Sequence, residues 1–286
     1  MNTTTSAVAQ TPVTGSNDST VPGPKILLLG GPGSGKTYAI RTLLDAGIKK
    51  IGVVFTEPGM ESLSDVPADK LSWHYIPPAT ASWETMISQS KKINTLSFDA
   101  LTKLSDMDKR QYTQFIDFIT CLSNFTCDRT GESLGPVDSW GTDRALVIDS
   151  MSGLNLMAMK LVTGGKPVKS QADWQVAMEN IEQVIIKLTT DVKCTVVVTA
   201  HPERETDEIT GGTTIMASTL GRKLAPKIPR FFSDCIHVVR VADRFTWSTA
   251  TANADLKTRN LKIADNLPPS FKPLIDAWKA RGGVIA

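Results

Sequence analysis

GGPGSGKT, residues 30–37, decides the fold of this chain. It fits G-x-x-x-x-G-K-[ST], with Gly30, Gly35, Lys36 and Thr37 at the fixed positions. KILLLG runs into it, and residues 25–29 read as a buried strand; TYAIRTLLDAG follows and reads as a helix stopped at Gly47. A strand, a glycine-rich loop and a helix in that order make a phosphate site, which a chance turn carrying Lys-Thr would not. Glycines let successive N–H groups point at phosphate oxygens, and the helix N-terminus adds partial positive charge. The expected nucleotide cradle is Gly30, Gly31, Pro32, Gly33, Ser34, Gly35, Lys36, Thr37 and Tyr38. Lys36 would reach the β- and γ-phosphates, and the Thr37 hydroxyl would ligate Mg²⁺.

Outward from the loop, apolar runs alternate with helical periodicity. Residues 51–55 (IGVVF) read as a second strand ending in TEPG, and residues 73–76 as a short third. Residues 82–91 and 106–124 read as helices, the latter with Tyr112, Phe115, Ile116 and Ile119 at helical spacing. Residues 125–143 read as a surface loop, and residues 145–148 (ALVI) as a buried strand ending in Asp149. Residues 173–190 form an amphipathic helix, capped at Asp173 or nearby. Its stripe is Trp174, Ala177, Met178, Ile181, Val184, Ile185 and Leu188. TVVVT (195–199) is another buried strand, leading into Ala200-His201-Pro202 and a polar loop over 203–221. Residues 236–241 and 245–251 pair as a hairpin around Asp243-Arg244, residues 256–263 extend that sheet, and 270–280 form a last helix. The predicted class is α/β: a mainly parallel sheet flanked by helices on both faces, with antiparallel edge strands toward the C-terminus.

At 286 residues there is room for one large α/β domain or one with an insertion. The expected division is a disordered arm over 1–23 and a single domain over 24–286, with an insertion around 92–143. No apolar stretch approaches the ~20 residues of a membrane span, and no signal peptide is visible. A net charge of +2, from 31 basic and 29 acidic residues, neither demands nor excludes nucleic acid. Four cysteines without a CxxC pair indicate a reduced, cytoplasmic chain with buried thiols rather than a disulfide framework or zinc site.

A nucleotide hydrolase needs a carboxylate on the metal side. RALVIDS supplies Asp149 at a strand end, a Walker B pattern; the same residue could instead cap the helix beginning at Ser150. Glu57 follows the second strand, on the edge where open α/β sheets bind ligands. It is the candidate general base, or else only a turn residue of TEPG. His201 ends the strand after Asp149's and is either a γ-phosphate sensor or a structural histidine before a proline. Lys257 and Arg259 are two cations at i and i+2, on one side of a strand. They stabilise the transition state, within the chain or across a subunit boundary, or they form a solvated edge.

The order of these parts resembles the RecA-type ATPase core, a RecA-like P-loop NTPase architecture. Within it, TEPG, IDS, DWQ and TAHPERE resemble phage-encoded RecA-like proteins of the single-strand annealing type. The likeness covers residues 24–263. It implies ATP and Mg²⁺ as cofactors, contact with single-stranded DNA, and a ring or filament with nucleotide at subunit interfaces. It also implies a single-strand-binding protein as a partner, and no membrane. It places the loop after His201 against DNA, making Arg204, Arg222, Lys223, Lys227 and Arg230 phosphate-contact candidates. Acidic Glu203, Glu205, Asp207 and Glu208 oppose a simple basic clamp, and aromatic residues are sparse there. Residues 92–143 are longer than a minimal core needs, and no separate DNA-binding domain is visible.

The function this implies is ATP-dependent single-stranded DNA recombination or annealing. Alternatives are a helicase-loading or motor ATPase, a small-molecule kinase, and a nucleotide-gated scaffold with negligible turnover.

Overall fold

Valine, isoleucine and leucine runs bounded by turn residues build the strands of the molecule, a computed structural model that describes residues 21–103, 110–206, 211–221 and 223–286. In chain order the elements begin with β1 (Lys25–Gly30), α1 (Lys36–Ala39), α2 (Thr42–Asp45), β2 (Lys50–Phe55) and β3 (Leu71–Tyr75). Then come α3 (Trp83–Asn94), α4 (Phe98–Thr102), α5 (Gln114–Ser123), β4 (Phe125–Thr126) and β5 (Ser133–Gly135). They continue with β6 (Arg144–Asp149), α6 (Met151–Thr163), α7 (Gln171–Thr190) and β7 (Thr195–Ala200). The last are β8 (Pro202–Thr206), β9 (Thr213–Ala217), β10 (Asp234–Val241), β11 (Arg244–Ser248) and α8 (Lys272–Lys279).

Among the described residues, seven strands form one sheet in the order β11-β10-β1-β7-β6-β2-β3. Every pairing in it is parallel except β10 with β11. β7 lies between β1 and β6, pairing Leu28 with Thr199 on one side and Ile148 with Val198 on the other. The C-terminal strand ends therefore gather the phosphate loop, Glu57, Asp149 and His201 along one rim, where open α/β sheets bind ligands.

Side chains alternate across the sheet, so each central strand feeds two cores. Leu27, Leu29, Leu146, Ile148, Val196 and Val198 pack beneath α5, α6 and α7. Ile26, Leu28, Val53, Val147 and Val197 pack on the other face, beneath α1, α2 and α8. Each such side chain, fully removed from water, contributes roughly 1.5–3 kcal/mol. The α/β class with antiparallel strands toward the C-terminus is the observed one.

Several local expectations are corrected. The helix after the phosphate loop is two single turns, α1 and α2. On α5 the buried residues are Phe115, Phe118 and Cys121, whereas Ile116 and Ile119 are 52% and 46% exposed, because the packed face is turned toward α6. Residues 104–109, which held the start of that expected helix, lie outside the described residues. The stretch 125–143 is no plain surface loop: it folds into β4, β5 and a 3₁₀ turn that bury Phe125, Val137 and Trp140.

The polar stretch after His201 forms the antiparallel pair β8–β9, with residues 207–210 outside the described set. Residues 256–263 do not extend the sheet beyond a single bridge from Lys257 to Cys235. The buried Asp234 carboxylate accepts the backbone N–H groups of Arg259 and Asn260 and turns the chain away. Most of the expected arm lies outside the described residues. Its last part is fixed: Pro22 accepts the Trp278 indole N–H at 3.0 Å, and Gly23 donates to Lys193 at 2.8 Å. All four cysteines are free and buried, and no described helix is long and apolar enough to cross a membrane.

Candidate functional site

The phosphate loop leaves β1 at Gly30, where a β-carbon would come within 2.6 Å of Ser34 Oγ and 2.7 Å of the Val238 carbonyl. Gly35 ends the loop at φ 92°, a left-handed conformation that favours glycine. Ser34 Oγ is buried without a partner among the described residues. Pro32 and Gly33 are exposed, and the space a Gly31 β-carbon would enter is empty. These features fit a cradle whose backbone groups receive a ligand's phosphates.

Lys36 is buried, and its ammonium donates to the Gly30 and Gly31 carbonyls at 2.5 and 3.0 Å. Burial pushes its pKa below the usual lysine range, against the opposing pull of Asp149 and Glu57. Thr37 donates its hydroxyl to Asp149 Oδ2 at 2.6 Å. The other Asp149 oxygen accepts the Thr199 hydroxyl at 2.5 Å, from the intervening strand β7. One carboxylate and one hydroxyl in contact suit Mg²⁺, a hard cation that keeps several waters and shares phosphate oxygens. No cluster of three or more His, Cys, Asp or Glu that could hold a metal by itself occurs among the described residues. Ser150, not Asp149, caps α6, its hydroxyl accepting from Ser152 N–H at 3.2 Å. Asp149 is therefore free of the capping role.

Glu57 Oε2 stands 3.5 Å from His201 Nε2, both partly exposed on the rim. His201 Nδ1 is buried without a partner among the described residues, and the His201 carbonyl accepts Ser218 N–H at 2.8 Å. Both ends of the β8–β9 hairpin are thus anchored next to the residue that touches Glu57. Tyr38 is 60% exposed, with the Arg41 guanidinium 4.0 Å from its ring centroid. Asp65 holds that guanidinium in place through two hydrogen bonds.

Other expected site residues lie elsewhere. Lys257 bridges to Cys235, whose other neighbour Leu27 is three residues before Gly30, and its ammonium faces the Pro229 and Arg230 carbonyls. Arg259 sits with it at the N-terminal end of the strands, so neither reaches the phosphate loop of its own chain. Of the expected DNA contacts, Arg204 and Lys223 are exposed, while Lys227 and Arg230 are paired with Glu182 of α7 at 3.1 and 2.8 Å. Arg222 lies outside the described residues.

Sequence reading missed three contributors. Thr199 is a hydroxyl ending an apolar strand, a legible signal in TVVVT. Arg240 and Phe245, from the β10–β11 hairpin, overhang the loop at Gly33 and Gly35. Nothing in the sequence says that β10 lies beside β1.

Residues 22–259 match the family described as AAA domain. No curated protein matches the chain. Among solved structures it is similar to the RadB recombinase, at 13% identity and a TM-score of 0.34, covering 87% of this chain and 86% of that one. It is also similar to the flagellar accessory protein FlaH from Methanocaldococcus jannaschii, at 10% identity and a TM-score of 0.29, covering 79% and 77%.

Proposed function

The chain belongs to the AAA domain family of nucleotide-binding ATPases, and on that premise we propose that it hydrolyses ATP with Mg²⁺ in response to single-stranded DNA. The observation that carries this reading is the convergence of Lys36, Thr37, Asp149 and Glu57 on one rim of the sheet. Loop amides and the Lys36 ammonium hold the phosphates. Thr37 and Asp149 would hold Mg²⁺, which when bound would neutralise phosphate charge. Glu57 accepts the proton of the attacking water. His201, in reach of Glu57 and at the root of the β8–β9 hairpin, passes the phosphate state to that hairpin.

Exposed Arg204 and Lys223 make the first phosphate contacts with DNA, and Lys227 and Arg230 join them when released from Glu182. Lys257 and Arg259, remote from their own loop, serve the nucleotide of a neighbouring copy in a ring or filament. The setting is phage-type recombination or strand annealing in the host cytoplasm, alongside a single-strand-binding protein. A second reading, a motor or helicase-loading ATPase acting on a protein or duplex, draws on the Glu182 pairs, which take up two of the expected DNA cations.

ATPase rates with and without single-stranded DNA, for wild type, Lys36→Ala and Glu57→Gln, test the reading. Lys36→Ala is expected to lose nucleotide binding. Glu57→Gln is expected to bind nucleotide but turn over on the order of 100-fold more slowly. Stimulation by single-stranded DNA should fade as salt rises. Normal turnover by Glu57→Gln refutes the base assignment, and stimulation only by duplex or a protein favours the second reading.

A further inference from the structure

We propose that Arg240 is a catalytic residue of the triphosphate site, acting within its own chain, and that Phe245 positions it. The proposal rests on the ATPase reading above and supplies the cation that Lys257 and Arg259 cannot provide to their own loop.

The placement follows from the sheet. β10 pairs with β1 so that Val238 stands beside Gly30, the last residue of β1. Arg240 is two residues further on, on the same side of the strand as Val238 and past the end of β1. It thereby overhangs the phosphate loop. Its Nη1 lies 3.8 Å from the point a Gly33 β-carbon would occupy. Phe245 is the cross-strand partner of Arg240 in the hairpin. The guanidinium carbon is 5.2 Å from the Phe245 ring centroid, and the ring comes within 2.9 Å of the position of a Gly35 β-carbon. The hairpin tip therefore meets the loop at two of its glycines.

Arg240 Nε donates to the Ala242 carbonyl at 2.9 Å, which folds the side chain back over the tip. No carboxylate pairs with Arg240 among the described residues, and it is exposed. A planar guanidinium with free N–H groups suits phosphate oxygens better than a point charge does. An aromatic face beneath a cation holds it and costs no hydrogen bond.

In hydrolysis, water oxygen bonds to the γ-phosphorus and its proton passes to Glu57. The bond from γ-phosphorus to the bridging oxygen breaks, and its electron pair stays on the diphosphate. Arg240 meets the negative charge that grows on that oxygen. An interaction that strengthens as the charge develops raises turnover more than it tightens binding.

Arg240→Ala, Arg240→Lys, Phe245→Leu and Phe245→Tyr test this, each checked for an unchanged melting transition. Single-turnover hydrolysis is measured with calorimetric affinities for ATP and ADP. Arg240→Ala is expected to lower turnover on the order of 100-fold or more and to narrow the preference for ATP over ADP. Arg240→Lys should recover only part of the loss. Phe245→Leu should fall about 10-fold in turnover with ATP affinity held, and Phe245→Tyr should restore most of that. A mixture of Arg240→Ala and Lys36→Ala chains should stay inactive, because both groups serve one site of one chain. Arg240→Ala turnover within about 3-fold of wild type, or recovered activity in the mixture, overturns the proposal. If wild type hydrolyses no nucleoside triphosphate, the ATPase reading itself fails; if it does and Arg240→Ala matches it, only this assignment fails.

Discussion

Lys25, which opens β1, and Lys36, which opens α1, hold charge where burial makes it costly. Lys36 is offset by the carboxylates facing it, Asp149 and Glu57. Lys25, beneath the far end of the sheet, has no carboxylate partner among the described residues: its ammonium donates to the Val192 carbonyl at 2.7 Å and the Cys194 carbonyl at 2.6 Å. Burial brings its pKa down to about 8 from 10.5. Between those values the unfolded chain holds a proton that the folded chain has released, so stability rises with pH across that window. Buried thiols act oppositely. Cys194 is pushed up to about 11, and Cys121 and Cys235 to about 12, so above pH 9 the unfolded chain loses protons first and stability falls. Comparison with Lys25→Met isolates the lysine. Urea unfolding at pH 7.5 and pH 10 should show the gap moving in wild type's favour by about 2 kcal/mol. A pH-independent gap would mean that Lys25 is not charge-stressed.

Among the elements, α7 shows how local chemistry and packing agree. Its stripe buries Ala177, Ile181, Ile185 and Leu188. Its start is a capping box, with Ser170 Oγ accepting Asp173 N–H at 3.3 Å and Asp173 accepting Ser170 N–H at 2.7 Å. Lys166, with that cap, draws the Asp173 pKa down to about 2. Ser170→Ala should cost about 1 kcal/mol in chemical unfolding while leaving nucleotide affinity unchanged. Such helices, and the strands of continuous Val, Ile and Leu, are legible because periodicity reports burial. The β8–β9 pair was not. PERET and TTIMA stand off the main sheet in a two-stranded ribbon, and PERET is polar throughout, so only the short end of the second strand at residues 215–217, which packs on the core, carries an apolar signal. The same division runs through the site. Lys36, Thr37 and Asp149 follow from local motifs, and the contact between Thr37 and Asp149 is observed. Arg240 depends on which strand lies beside β1, a property of topology that no window of sequence carries.

Across the whole molecule, the last helix closes one face of the sheet. Leu274, Ile275 and Trp278 of α8 are buried with Phe271, and Trp278 ties down the residues that lead into β1. At roughly 1.5–3 kcal/mol for each large apolar side chain, their loss approaches the 5–15 kcal/mol by which domains are stable. A chain ending at residue 270 should therefore lack a cooperative melting transition; a sharp transition would show that α8 is dispensable. The position of β7 has a mechanical consequence. It is the spacer between the strand that carries Thr37's loop and the strand that carries Asp149, and it runs straight on into the β8 ribbon. A load on the ribbon would therefore pull along the slat that sets the gap between those two groups.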